Sequence, residues 1–506
     1  MRIVSVEEMR ALEAAAFAAG CSEAELQERA GHAVAEEVYR LTGASRRAVV
    51  LVGHGNNGRD GAVAAEWLLQ HGVGVDLVLA PRHAVRPDEL QRLRSLGASQ
   101  LASGDRAGVD RVLSAAKVAL DGLAGIGARG ALREPLATLA RQLNSARPSV
   151  HVVALDLPSG IEADTGAVPG EAVWADTTVT LGGVKQGLLQ FPAAERVGRL
   201  IACEIGIPAD AEAGLPYTLL NEATLRRLVP TRALDAHKYR FGRALIVAGT
   251  DHFLGAAVLC AGGAARVGAG LVTVASTRDV RLSVAAHLTE VTFTQPDIRS
   301  GDGVAAAQTL APYLQSHNAV VIGPGLGRGP AVTDFVRQLL RLRSREHTIV
   351  VDADGLVALS EIQDWPELLG PNAVLTPHSG ELERLVGHAP STGETAWAKA
   401  GRLAREWGCV LIAKGPFTCV AGPDGRVDVW PRANAALATG GTGDVLAGIT
   451  TGLLAQGMPV VDAARLAVGV HGLAAAKVVE RRWRTLLASD LWTEIPAVLA
   501  ELSQRR

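Results

Sequence analysis

The stretch RAVVLVGHGNNGRDGAVAA, residues 47–65, runs from a β-branched apolar pattern through a polar, glycine-rich mouth into an alanine-rich helical pattern. A strand that ends in glycines ahead of a helix is where α/β proteins hold phosphates. Gly53, Gly55 and Gly58 have the GxGxxG spacing, but the lysine and hydroxyl of a GxxxxGK[ST] loop are missing. No acid stands where a ribose partner is expected, since Asp76 comes too early within its own strand. The unusual part is Asn56-Asn57, two amide side chains at a strand end. A second glycine-rich stretch, TGGTGDVLAG (439–448), also puts a lone aspartate, Asp444, at the mouth of a helix.

Strand-like and helix-like runs alternate around the first stretch. RAVVLVG, GVDLVLA, KVALDGLAG, HVVALDLPSG, DTTVTLGG and LIACEIG are spaced as in a parallel sheet covered by helices on both faces. The pattern breaks over residues 206–242, which open with Gly and Pro, hold one short helical stretch at 221–229 and include Pro230. A second series follows: RALIVAGT, GLVTVAS, AVVIGPGLG, HTIVVDADGL, AVLTPHSGE and CVLIAKG, with Pro423-Asp424-Gly425 as a β-turn between two later strands. Two α/β domains are expected, 1–215 and 220–506. A chain of 506 residues also exceeds one core, which stops growing near about 250–300 residues.

A net charge of −2 leaves no basic face for nucleic acid. No uncharged apolar run reaches the about 18 residues that a membrane span needs. Glu7, Glu8 and Glu13 interrupt the apolar positions near the N-terminus, so that segment reads as a soluble helix with a Ser5–Glu8 capping box and not as a signal peptide. Five cysteines without CxxC or zinc-ligand spacing fit a reducing, cytoplasmic setting. The expected partners are small molecules, and a homo-oligomer is compatible with the sequence. Only six lysines stand beside forty-four arginines, which draws attention to each lysine that remains.

In the second half, the glycines of TGGTGD let backbone approach an anion at the N-terminus of an apolar helix. A carboxylate there repels phosphate, so Asp444 reads either as a proton acceptor beside the anion or as a cap of its own helix. Three further strand ends carry polar or glycine-rich mouths: His378 and Glu381 in TPHSGE, Lys414 and Thr418 in AKGPFT, and VIGPGLGRG. Ligands collect at such strand ends in open α/β sheets. Together, HKYRFG, GAAVLCAGGAARVGAGLVTVA, VIGPGLG, VVDADGL, TPHSGE, AKGPFT and NAALATGGTGDVLAG resemble the ADP/ATP-dependent NAD(P)H-hydrate dehydratase, a ribokinase-like α/β fold, over roughly residues 225–500. The resemblance implies that Ala257, Gly325 or Gly327, His378 and Asp444 meet the hydrated nicotinamide nucleotide. It implies that Lys414, Gly415, Pro416, Phe417, Thr418 and Gly443 hold ADP or ATP, with magnesium. Hydroxide leaves a saturated ring carbon poorly, and a phosphoryl group makes it a good leaving group. Asp444 would accept the hydroxyl proton while the helix N-terminus and Lys414 stabilise the moving phosphoryl group. A ribokinase-like small-molecule kinase fused to a nucleotide-binding module would use the same groups.

In the first half, Asp121 in VALDGLAGIGARGA and Asp156 with Ser159 in VALDLPSG stand at two more strand ends. Asn57, Asp121 and Ser159 offer amide, carboxylate and hydroxyl oxygens to a hard cation, or else cap the helices after their strands. With MRALEAAAFAAG and ELQERAGHAVAEEV, these stretches resemble the NAD(P)H-hydrate epimerase, a Rossmann-like αβα domain, across about residues 1–215. The resemblance implies that Asn56, Asn57, Gly58, Arg59 and Asp60, then Gly125, Ile126, Gly127, Ala128, Arg129, Gly130 and Ala131, and Asp156 line a site for NADHX and NADPHX. It implies potassium on Asn57, Asp121 and Ser159. Arg59 stands where the family commonly has Gly, and Gln27 where it commonly has Met. Inverting a carbinolamine-like carbon needs a proton added and removed, by Asp60 or Asp156. Asp156, at a strand end, is expected to be held more firmly than Asp60 in a loop.

Overall fold

The computed structural model describes residues 1–296, 301–387, 394–481 and 485–504. The chain forms two compact units, Met1–Leu215 and Pro216–Arg506.

In the first unit seven parallel strands lie in the order Ser99–Ala102, Gly74–Leu79, Arg47–Val52, Val118–Gly122, His151–Leu155, Thr177–Leu181 and Arg199–Cys203. Successive residues of the Arg47–Val52 strand enter opposite cores. Val50 and Val52 pack with Val34 and Leu68, while Val49 and Leu51 pack with Leu113 and Leu139. Burial on both faces explains why that strand reads as an unbroken apolar run. Each such side chain contributes roughly 1.5–3 kcal/mol on leaving water. A separate short pairing sets Ile3 beside Val184 and Val4 beside Lys185, and the helix Val6–Ala18 follows at once, capped by the expected Ser5–Glu8 box.

The glycine-rich mouth departs from expectation. Gly55–Gln70 is one helix, so Asn56, Asn57, Gly58 and Asp60 occupy its first turns and not a loop. A Cβ on residue 58 would lie 2.2 Å from the Gly53 carbonyl oxygen, so glycine is what lets the helix start this close to the strand end.

The second unit holds a ten-stranded sheet in the order Tyr217–Leu219, Val427–Val429, Cys419–Ala421, Val410–Ala413, Ala373–Leu375, Thr348–Val351, Ala319–Ile322, Arg243–Val247, Leu271–Ala275 and Thr292–Thr294. Only Cys419–Ala421 runs against its neighbours, and the turn after it has Gly425 at φ +79°. Tyr217–Leu219 pairs with Val427–Val429, so the unit begins at Pro216; a start at 220 would remove this edge strand. No described helix is long and apolar enough to cross a membrane.

Helices Leu254–Arg266 and Thr442–Ala455 touch backbone to backbone. A Cβ on Gly448 would fall 2.0 Å from the Cys260 carbonyl oxygen, and one on Gly263 2.5 Å from that of Val445. Overpacking costs about 1–3 kcal/mol, so Gly448→Ala is expected to lower the urea midpoint of the second unit. An unchanged midpoint would mean the helices separate freely.

Candidate active sites

A cavity of about 870 Å³ opens at the strand ends of the first unit. Asn56, Asn57, Asp60, all seven residues Gly125–Ala131 and Asp156 line it, and Glu13 and Lys185 join them. Gly58 and Arg59 do not: Gly58 packs on Gly53, and the Arg59 guanidinium lies 3.5 Å from Glu23.

The two aspartates differ in kind. Asp156 has left-handed backbone at φ +68°, a conformation costing a non-glycine residue roughly 1–3 kcal/mol. Its Oδ1 accepts from Leu181 N at 3.0 Å, from Thr180 Oγ1 at 3.2 Å and from the buried Lys185 ammonium. Lys185 also donates to the Leu181 carbonyl at 2.8 Å, so its charge is committed to this corner. Asp60 is 8 % exposed, and its Oδ1 has no hydrogen-bond partner among the described residues. Burial, then the charges of Asp156 and Glu13, push its carboxyl up to about 8. It keeps a proton at neutral pH, whereas Asp156 is ion-paired: the pattern of two carboxyls set to different tasks by their surroundings. Because Asp60 sits on a helix, the expected advantage of Asp156 in rigidity is withdrawn.

Glu13 and Lys185 had no role in the sequence reading. Glu13 fell in a stretch that looked like any soluble helix. Lys185 follows DTTVTLGG and is one of only six lysines, which was its single signal. The parallel pairing of Val4 with Lys185 brings their segments together.

Deeper in the same unit, Ser159 donates from Oγ to Asp121 Oδ1 at 2.7 Å and from its backbone N to Oδ2 at 2.8 Å. Ala124 N donates to Ser159 Oγ at 2.9 Å, and Asn57 Nδ2 donates to the carbonyls of Ala124 and Leu155 at 3.0 and 2.9 Å. Asp121 is fully buried, and among the described residues no basic side chain pairs with it. Burial raises its carboxyl to about 6 against the lowering effect of its Ser159 and Leu123 hydrogen bonds. A buried carboxylate with hard oxygens around it and no counter-charge fits a cation in chemical type.

In the second unit the helix Thr442–Ala455 begins after Gly441 at φ +90°, without a side-chain cap, and Asp444 lies in its first turn. Asp444 is pushed up to about 7 by burial and then by Asp352, with Lys414 opposing and Asp354 and Glu381 adding. Lys414 Nζ is 2.8 Å from Asp352 Oδ1 and 3.7 Å from Glu381 Oε2. A Cβ on Gly443 would sit 3.3 Å from that Nζ, so the lysine reaches from its strand end to the mouth of the helix. Burial works against the lysine's charge, but Asp352 and Glu381 outweigh it and its pKa rises. Buried His471 approaches the Thr442 carbonyl at 2.9 Å and is pushed down to about 4 by burial, so it braces the same turn as a neutral imidazole.

His378 is exposed and caps the helix Ser379–Val386, its Nδ1 accepting from Gly380 N and Glu381 N at 3.1 and 3.3 Å. Its backbone bridges to Lys414. Gly415 N donates to Thr418 Oγ1 at 3.3 Å, closing the turn that holds Pro416 and Phe417. Gly327 N donates to Asp354 Oδ2 at 3.0 Å, and both residues line a cavity of about 530 Å³. Gly325 packs on Phe253 and Ala256. Ala257 is fully buried, so its side chain is not open to a ligand. Asp352 and Asp354 stood in the quoted VVDADGL without a role, because two acids in one strand-end motif do not reveal which lysine they face.

A family model described as NAD(P)H-hydrate dehydratase matches residues 244–497, and one described as YjeF-related protein N-terminus matches residues 23–187. The bifunctional NAD(P)H-hydrate repair enzymes Nnr of Salinibacter ruber and Moorella thermoacetica are 37 % and 38 % identical to this chain. Those matches cover 94 % and 95 % of it and 92 % and 93 % of the relatives. The ADP/ATP-dependent NAD(P)H-hydrate dehydratase from Bacillus subtilis, co-crystallised with ATP and Mg2+, is 31 % identical with a TM-score of 0.50, over 56 % of this chain and 98 % of its own. A ribokinase-like superfamily protein from Enterococcus faecalis shares the fold at 24 % identity and a TM-score of 0.51, over 57 % of this chain and 97 % of its own. Two α/β units matched by these two family models, in a chain related over nearly its whole length to such repair enzymes, settle its lineage: the chain belongs to the family of bifunctional NAD(P)H-hydrate repair enzymes.

Proposed function

We propose that the first unit interconverts the R and S epimers of NADHX and NADPHX, and that the second dehydrates the S epimer to NADH or NADPH at the expense of ADP or ATP. One observation carries the reading. Each unit has an aspartate raised to near neutrality at its strand ends, the buried Asp60 in its cavity to about 8 and the half-buried Asp444 beside Lys414 to about 7. Groups poised near the working pH are suited to proton transfer.

In the second unit, Asp444 takes the proton of the substrate hydroxyl as the phosphoryl group arrives. Lys414 and the N–H groups at Gly443 stabilise charge on that group. The turn Gly415–Thr418 flanks the nucleotide, and Gly327 and His378 border the hydrate. Magnesium would enter with the nucleotide phosphates and neutralise part of their charge. In the first unit, protonated Asp60 is the acid. The Asp156–Lys185 pair presents a fixed carboxylate to the positive charge that develops on the ring, and Gly125–Ala131 covers the nucleotide. Five free cysteines support a reducing, cytoplasmic setting.

Potassium would supply counter-charge to Asp121 beside Asn57 and Ser159. Asp121→Ala removes the only carboxylate of this set, so the variant is expected to lose both potassium stimulation and most epimerase rate while dehydrating pure S epimer normally. Rates measured in sodium, potassium and neither check this. Indifference of wild type and variant alike would reduce these oxygens to helix caps.

The overall reading is tested by giving purified protein the S epimer with each nucleotide and following reduced-nicotinamide absorbance and phosphate. One phosphate released per nicotinamide recovered is expected. A stable phosphorylated alcohol with no recovery would favour the small-molecule kinase.

A further inference from the structure

Glu13 faces the same cavity as Asp60, Asp156 and Lys185. Its position is built in. Ile3–Val4 pairs with Val184–Lys185, Ser5 caps the helix Val6–Ala18, and Met9, Leu12 and Ala16 are buried along that helix. Glu13 is therefore carried to the cavity wall by an anchored element. The same cavity holds an unsatisfied group, the buried Asp60 Oδ1, which has no partner among the described residues and so is open to one in a ligand.

Inversion needs two proton-handling groups, one where hydroxyl departs and one where it returns. Asp156 is held as one half of an ion pair, with Lys185, Thr180 and Leu181 N all donating to its Oδ1. Asp60 and Glu13 come from different helices, Gly55–Gln70 and Val6–Ala18, and both line the cavity.

We propose that Glu13 is a further catalytic residue of the epimerase, the base that activates the incoming water opposite the acid Asp60. The step balances. Asp60 gives its proton to the leaving hydroxyl, the C–O bond breaks with its electron pair on oxygen, and water departs as the ring nitrogen lone pair forms C=N⁺. A second water adds to the other face, its electron pair forming the new C–O bond and closing the nitrogen lone pair, and its proton goes to Glu13. Proton exchange with solvent resets both carboxyls. The charged groups that act on Glu13 are Lys185, Asp156 and Arg10, and those on Asp60 are Asp156, Glu13, Arg59 and Glu23. Burial raises the Glu13 carboxyl above the ordinary glutamate range, with Lys185 opposing.

This rests on the first unit being an epimerase, and one set of measurements separates the two ideas. The full-length protein is given a single NADHX epimer in ¹⁸O-water, without nucleotide, and epimer ratio and label are followed. Enzyme-accelerated epimerisation with one solvent oxygen incorporated per inversion is expected. Acceleration without label would overturn the water-activating role while leaving the epimerase standing; no acceleration would remove the epimerase reading itself. Glu13→Gln is expected to lower epimerase kcat by about 10²–10⁴-fold with KM little changed and the acidic limb of the rate profile lost. Glu13→Asp should recover part of the rate, and added acetate should restore part of it to Glu13→Ala. Wild-type kcat in Glu13→Gln, or a Glu13→Ala variant that is folded by its thermal transition, slow, and unresponsive to acetate, would overturn the assignment.

Discussion

Asp444→Asn is expected to lower dehydration of the S epimer by about 10²–10⁴-fold while leaving epimerisation at its wild-type rate. The carboxylate lies in the first turn of the helix Thr442–Ala455, beside the site where phosphate charge must be stabilised, and that helix has no side-chain cap. An amide there cannot accept the hydroxyl proton. The fold should not suffer, because the change removes a negative charge from a corner that already holds Asp352, Asp354 and Glu381. Stability at or above wild type, combined with lost dehydration, is the expected pair of results. The kcat with pure S epimer and saturating ADP or ATP, read beside a thermal melt, checks both. Near-normal dehydration would make Asp444 structural.

Asp60→Asn should produce the mirror effect: loss of epimerisation of similar size, with dehydration intact. The two activities should also respond oppositely to pH. Asp444 works unprotonated, so dehydration kcat/KM should rise through about pH 7. Asp60 works protonated, so epimerisation should fall above about pH 8. Stability follows from the same shift. A carboxyl whose pKa is raised on folding binds more protons in the native state, so unfolding free energy falls as pH rises from the ordinary aspartate value of 3.8 to about 8. Above that window Asp60→Asn, which carries no charge, should unfold at a higher temperature than wild type. Parallel profiles for both activities, or no gain in the variant at alkaline pH, would contradict these roles.

The strand pattern was readable because parallel strands buried on both faces leave nearly continuous apolar runs, as in Ala48–Val52 and His151–Leu155. Edge strands were harder. Ser99–Ala102 has one neighbour and no apolar run, and Tyr217–Leu219 lies far in sequence from its partner Val427–Val429. The helix start at Gly55 was misread because glycines and asparagines have poor helix propensity, and the close fit of Gly58 on Gly53 overrides it. Site residues grouped in glycine-rich strand ends could be picked out from the sequence, and those at Asn56–Asp60 and Gly125–Ala131 do largely meet at one cavity. Glu13, Lys185, Asp352 and Asp354 were not, because their meaning lies in the groups they face across the fold. The contrast between Asp60 and Asp156 is likewise a matter of burial and partners, which spacing does not encode.

The most direct measurement starts from the R epimer of NADHX alone, given to the full-length protein with ADP or ATP in potassium buffer. Reduced nicotinamide can then appear only after R has become S, by the first unit or by slow uncatalysed epimerisation, and the second unit has dehydrated it. Complete recovery is predicted, far faster than spontaneous epimerisation allows, and Asp60→Asn should slow it to the uncatalysed rate while leaving recovery from the S epimer unchanged. Recovery from R no faster than uncatalysed epimerisation in the wild-type protein would contradict the assignment of two linked activities to this chain.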